Sequence, residues 1–217
     1  MSVVSLLKAL IRDEMRATQR GELGVVTSIY PHQSDNDQDN YECSVKLKDT
    51  GQELRHVPVA TGVIGGVAIP SVADLVLVNF LQGDLNQPVI TGRLYNDKQR
   101  PPVSQANEML YHLPPDAGDS DALVIAIRSG QGFSPTRQIE ITMGDKLSIK
   151  LTDDDPVAEI KTNSLTIQLK NSGDVSIDSQ GKVEIKSSAG LELKSDGNIN
   201  IEASGQMTIK GATIDLN

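Results

Sequence analysis

The chain has 217 residues and a formal net charge of -9, with 29 Asp and Glu against 20 Lys and Arg. Such a balance lacks the clustered cations that phosphate-backbone binding requires, which argues against nucleic acid as a partner. Trp is absent and the six aromatic residues all lie at or before Phe133. A compact domain made from the residues beyond it would normally bury a few rings, so that part is expected not to be compact and globular.

The opening "MSVVSLLKALIRDEM" is apolar at Val4, Leu7, Ile11 and Met15, close to helical spacing. Lys8 and Arg12 interrupt it, so it is neither a secretory core nor a membrane span. A short amphipathic helix over 1–20 is expected, with Ser2 as its cap. Its apolar face must lie on something, either the rest of the chain or a neighbouring subunit.

From Gly21 to about Asn96 the pattern is short strands and turns. "GVVTSIY" (24–30), "YECSVKLK" (41–48), "LRHVPVA" (54–60), "DLVLVNF" (74–80) and "PVITGRLY" (88–95) are strand candidates. The third and fourth are joined by the glycine-punctuated loop "GVIGGVAIP". Five such strands suit a small closed barrel, with an OB-fold as the first choice over 21–101. Alternation alone does not choose it over another small barrel. Cys43, the single cysteine, reads as a strand residue; no base stands near enough in sequence to make it a nucleophile.

Pro101 and Pro102 close this unit. Residues 102–138 read as a connecting region of loops around one strand, "ALVIAIR". Alternation takes over from Ile139 and no proline follows Pro156, so from there to residue 217 nothing breaks a ladder. Within 139–217 the pairs Ile167/Leu169, Val175/Ile177, Val183/Ile185, Leu191/Leu193, Ile199/Ile201 and Met207/Ile209 recur every eight residues. Gly173, Gly181, Gly197 and Gly205 stand two residues ahead of their pairs, and Gly190 falls one place late.

Residues two apart in a strand share a face. Each octad therefore offers a short strand with two inward side chains and polar outward ones, and glycine supplies a corner. A single chain coiled at three octads per turn would make little more than two turns with a core two residues wide. Repeat stacks need several units for stability. Three chains around one axis place about six apolar residues in each level, each contributing on the order of 1.5–3 kcal/mol when buried. The fold class expected is thus mainly β, with an N-terminal helix, an OB-fold barrel and an intertwined triple-stranded β-helix in a homotrimer. The six pairs are its expected core.

At "FLQGDLNQPVITGRLYN" (80–96) the sequence resembles the central-spike family of contractile injection machines, the phage baseplate assembly protein V and VgrG proteins. Val76, Val78, Phe80, Gly83, Asp84, Pro88, Val89, Ile90, Gly92, Leu94, Tyr95 and Asn96 match its barrel motif. Ala73 departs from it, standing where the family usually has glycine. The resemblance implies a spike at the centre of a phage tail baseplate or related injection particle, made without a signal peptide. It would plug the tube and puncture the target cell envelope, with baseplate hub and tube proteins as partners. Short spikes of the family end in His-x-His holding an iron ion, but the histidines here are His32, His56 and His112, so no apex metal is carried over. "GATIDLN" instead shifts Ile214 and Leu216 by one from the octad register. That resembles VgrG-type ends, implying that Ile214, Leu216 and Asn217 present a platform to a conical tip protein of the PAAR type.

No enzyme, cofactor or catalytic metal is expected. Some relatives carry a lysozyme domain, but 102–138 is too short for a cleft with paired carboxylates, and Asp116, Asp119 and Asp121 read as solvated turns. "DNDQDN" (35–40) opens like a calcium loop, yet lacks glycine at its sixth place and has Lys46 at its twelfth. "DDDP" (153–156) reads as a turn. The alternative is a secreted single-chain β-solenoid acting as an adhesin or binding module; lack of aromatics for sugar stacking and of a secretory segment weighs against it.

Overall fold

A computed structural model describes residues 3–17, 21–130 and 136–215 of the chain. The cap expected at Ser2, residues 131–135 of the second loop, and Leu216 and Asn217 lie outside the described residues. Helix α1 (Val3–Ala17) forms where no Gly or Pro interrupts the helical spacing, and Val4, Leu7 and Ile11 on it are exposed.

Five strands follow: β1 (Glu22–Tyr30), β2 (Glu42–Leu47), β3 (Glu53–Pro58), β4 (Leu75–Phe80) and β5 (Pro88–Leu94). They pair antiparallel in the order β3-β2-β1-β4-β5. A parallel bridge from Val59 to Ile90, and the Ala60 N–H donating to the Ile90 carbonyl at 2.8 Å, then join the two edges. That closure makes an OB-type barrel. Alternate residues point inward, so Val26, Cys43, Val45, Leu54, Val57, Val76, Val78 and Ile90 fill its core. Bulges in both neighbours of β2, with an extra residue between Val26 and Ser28 of β1 and between Leu54 and Val57 of β3, shift the register there; Cys43, Ser44 and Val45 of β2 are all buried, and Ser44 Oγ meets Tyr30 Oη at 3.2 Å.

The rest of the ordered β structure is one antiparallel meander. It runs β6 (Glu108–Leu113), β7 (Leu123–Ser129), β8 (Arg137–Met143), β9 (Leu147–Thr152), β10 (Ala158–Lys161), β11 (Leu165–Leu169) and β12 (Val175–Ser179), each strand paired with the next. The connecting region and the first octads therefore share a single sheet. Strand β6 was not legible in the sequence, because Leu110 sits between Glu108 and His112 and blurs the alternation.

Register sorts this sheet into two unlike faces. Tyr111, Ile125, Ile141, Ile149, Ile160, Ile167 and Ile177 stand opposite one another in a row across all seven strands. Met109, Ile127, Ile139, Leu151, Ala158, Leu169 and Val175 make a parallel row, and Leu113, Leu123, Met143 and Leu147 a third across β6 to β9. The other face carries charges: Glu140, Lys150 and Glu159 alternate across β8, β9 and β10, and Arg128 bonds Glu108 at 3.2 Å and Glu140 at 2.6 Å. Beyond Ser179 the described chain has no strand pairing within itself.

Candidate functional site

The turn between β4 and β5 shows why its residues take these identities. The chain enters a single 3-10 turn at Leu81–Gly83, where Gln82 and Gly83 adopt positive φ of 54° and 78°. Gly83 meets that demand at no steric cost. Asp84 then closes the turn. Its Oδ1 accepts from the Asn86 N–H at 2.9 Å, its Oδ2 from Gln87 Nε2 at 3.1 Å, and its carbonyl from the Gln87 N–H at 2.9 Å. Pro88 opens β5 opposite Phe80.

Asn96 ends β5 in the same way, its Oδ1 accepting from the N–H groups of Lys98 at 2.9 Å and Gln99 at 3.0 Å. Gln99 Nε2 donates in turn to Asp74 Oδ1 at 2.8 Å, which fastens the exit of the barrel to the start of β4. The matched motif is thus a set of turn locks. Ala73, the departure from the motif, adopts φ of 77°.

The acidic segments are likewise engaged in their own loops. Asp37 accepts from His32 Nδ1, the Gln33 N–H and the Ser34 N–H, each at 2.7 Å, and its carboxyl is held down at about 2, mainly by the His32 contact. Asp153 pairs with Arg137, Oδ2 to Nε at 2.8 Å and Oδ1 to Nη2 at 3.0 Å. Asp119 reaches His112 Nε2 at 3.3 Å, and Asp121 accepts from Ser120 Oγ. Among the described residues, no three His, Cys, Asp or Glu side chains converge as a metal site. Burial pushes the Cys43 thiol up to about 11, with Asp74 adding to the shift, so it is a core residue with no thiolate at neutral pH.

The octads show their period in the backbone. Bends fall at 180–181, 188–189, 196–197, 204–205 and 212, with extended chain between. Each of the first three corners is held by a serine. Ser179 Oγ accepts from the Gly181 N–H at 3.2 Å, Ser187 Oγ from Ala189 and Gly190 at 3.3 and 3.1 Å, and Ser195 Oγ from Gly197 at 3.1 Å. These serines, themselves eight apart, escaped the sequence reading, which attended to glycine alone. Gly173 has positive φ, at 90°, while Gly181, Gly197 and Gly205 turn without it.

Between corners, Glu184 pairs with Lys186 at 2.6 Å and Lys182 at 3.3 Å, and Glu192 with Lys194 at 2.8 Å. The charges of each octad strand thus share the face opposite its apolar pair.

The octad pairs expected as a core are not a core of the single chain. Val175, Ile177, Val183, Ile185, Leu191, Leu193, Ile199, Ile201, Met207 and Ile209 are all exposed within it, Ile201 and Ile209 to 66% each. Leu169 is exposed too, at 44%, and Ile167 alone of the six pairs is half-buried. The reason lies in the backbone. A lone extended segment puts alternate side chains on one side but brings no second layer over them. Ile201 and Ile209 lie farthest along the stretch beyond Ser179, where the described chain pairs with nothing of its own. Ile214 is exposed as well. The octad face is therefore formed and aligned, and nothing among the described residues covers it. No helix of the described residues is long and apolar enough to cross a membrane.

Residues 34–95 match the family described as the type VI secretion system/phage-baseplate injector OB domain. The type VI secretion system spike proteins VgrG1c and VgrG1a of Pseudomonas aeruginosa are each 39% identical over 82 residues. Spike protein VgrG5 of the same organism is 41% identical over 73 residues. The segment shared with VgrG1c covers 38% of this chain and 10% of that relative, so the chain spans about a tenth of the length of the curated relatives it matches. Barrel closure, turn chemistry and sequence agree: over its OB-type barrel this chain resembles the VgrG-type spikes of type VI secretion and phage baseplates.

Proposed function

We propose that the chain forms a homotrimeric central spike of a contractile phage tail or related injection machine, with residues 21–101 as its collar and 139–217 as its needle. The observation that carries this reading is the coincidence, in one chain, of an injector-type barrel and an uncovered apolar pair at every octad. Three copies would bury the pairs from Ile167/Leu169 through Ile199/Ile201 to Met207/Ile209 on a common axis. Continuous ladders between chains would supply backbone partners for the extended segments between the octad corners, which form no strand pairing among the described residues. Stiffness along the axis is what a puncturing and plugging device requires, and the work is mechanical, with no chemistry of its own. Baseplate hub and tube proteins are the partners at the collar. A conical tip protein of the PAAR type is proposed at Ile214, Leu216 and Asn217.

Mass in solution tests the reading. Three times the chain mass by light scattering is expected; a single-chain mass at micromolar concentration would refute the spike and leave the solenoid reading. Cutting residues 212–217 is expected to leave the trimer intact and to remove capture of the tip protein.

A further inference from the structure

Asp196 alone among the aspartates of this chain is followed by glycine. The backbone nitrogen after an aspartate can close on its side-chain carboxyl carbon. A Cβ on the following residue crowds that ring, and glycine has none. Asp196 and Gly197 form the bend at the third octad corner, and Asp196 is exposed. The Gly197 N–H donates to a hydroxyl, Ser195 Oγ at 3.1 Å, in a stretch with no strand pairing among the described residues. Beyond its chain neighbours, a Cβ built on Gly197 would meet nothing nearer than that hydroxyl at 3.8 Å. The two aspartates followed by serine are held more firmly. Asp178 stands opposite Thr166 in the β11–β12 ladder. Asp119 contacts His112 Nε2 at 3.3 Å, and the Ser120 carbonyl after it lies against Gly144.

We propose that Asp196 is the site at which this chain isomerises spontaneously to isoaspartate, through a succinimide closed by the Gly197 nitrogen. The nitrogen attacks Cγ of Asp196 and gives up its proton, the carboxyl C–OH bond breaks, and one water leaves. Water then adds back to the imide. Opening at Cγ restores aspartate, whereas opening at the main-chain carbonyl leaves Gly197 linked through Cγ, which is isoaspartate. The atoms balance with water alone and no electron changes hands, so the reaction requires no second chain. The backbone gains one carbon, about 1.5 Å of extra chain. At this corner the added carbon disturbs the Ser195 hydrogen bond and moves Ile199/Ile201 out of the eight-residue register with Leu191/Leu193. The corner itself does not require glycine. Gly197 turns without positive φ, and Ala189 holds the same place in the octad before it.

Purified full-length protein would be held for weeks at neutral pH and physiological temperature, with the Gly197→Ala variant beside it. After digestion, each aspartate would be scored for isoaspartate by electron-transfer fragmentation of its peptide. The product has the mass of the native peptide, which separates it from deamidated asparagine. Isoaspartate is expected to accumulate at Asp196 well above its level at Asp119 and Asp178, and in Gly197→Ala to fall to that level. Ranking the three aspartates within the native chain keeps the test decisive even where the variant folds poorly. Isoaspartate at Asp196 no higher than at Asp119 and Asp178 would overturn the proposal, as would equal accumulation in the native chain and a folded Gly197→Ala.

Discussion

Ala73 sits just before β4 with φ of 77°, a region that a Cβ makes costly and glycine enters freely. Its surroundings are otherwise settled, because the Ala73 N–H donates to the Val26 carbonyl at 2.9 Å and Asp74 accepts from the Ser71 N–H at 2.9 Å. Ala73→Gly should therefore relieve strain without losing a contact and raise stability by about 0.5–1 kcal/mol, after the added freedom of the unfolded chain is subtracted. Urea denaturation of the barrel transition would register it; a destabilised variant would show that the backbone strain is not where the φ value places it. Asp37 makes a second prediction, through pH. Its folded carboxyl titrates at about 2 against an ordinary 3.8, so the order it gives the 32–39 loop is complete above 3.8 and is lost as pH falls through 2. Replacing His32 with alanine removes the largest cause of that depression, and the Asp37 titration followed by NMR should move up towards 3.8.

Gly144 joins β8 to β9 at φ of 53°, and a Cβ there would overlap the Ser120 carbonyl. The Gly144 N–H also donates to the Ala122 carbonyl at 2.8 Å, so the β8–β9 turn is fastened to the loop that leads into β7 and cannot simply move away. Gly144→Ala should cost about 3 kcal/mol, combining left-handed strain with overpacking. Loss of the sheet transition in a thermal melt, with the barrel transition unchanged, is the expected readout. The octad corners use different chemistry. At the first three corners a serine hydroxyl closes the bend onto the N–H two residues on, which lets Ala189 occupy a corner in the repeat where Gly190 falls late. Between corners, the Lys–Glu pairs are too exposed to contribute more than a few tenths of a kcal/mol each.

In the proposed trimer, cover for the octad pairs would come from the other two chains. Leu193→Asp would put three carboxylates on one axis, each stripped of water and each repelling the others. Trimer mass should be lost while the barrel stays folded and soluble, since its core residues from Val26 to Ile90 make no use of the octads. Sedimentation of the variant beside the native chain checks this, and a trimer of unchanged thermal stability would refute the intertwined arrangement.

Much of this architecture could be read before any coordinates, and the reason is local. Alternation of period two, glycine and asparagine turns, and a repeat of eight are properties of neighbouring residues. They therefore located all five barrel strands, the hairpin at Gly83–Pro88 and the corners of the octads in the linear chain. Periodicity also marked Ile201 and Ile209 as members of an apolar face, but it could not say what lies against them, and among the described residues nothing does. Barrel closure was beyond that reach too, because the Val59–Ile90 bridge joins residues 31 apart whose pairing no local pattern encodes. The same holds for β6. One leucine on its outer face obscures the alternation, and the strand becomes evident through its register with β7, where Met109, Tyr111 and Leu113 fall opposite Ile127, Ile125 and Leu123. Side-chain periodicity announces which face of a strand is apolar. Pairing in space is what adds seven such faces into one surface, and that surface makes residues 102–138 part of the sheet rather than a tether.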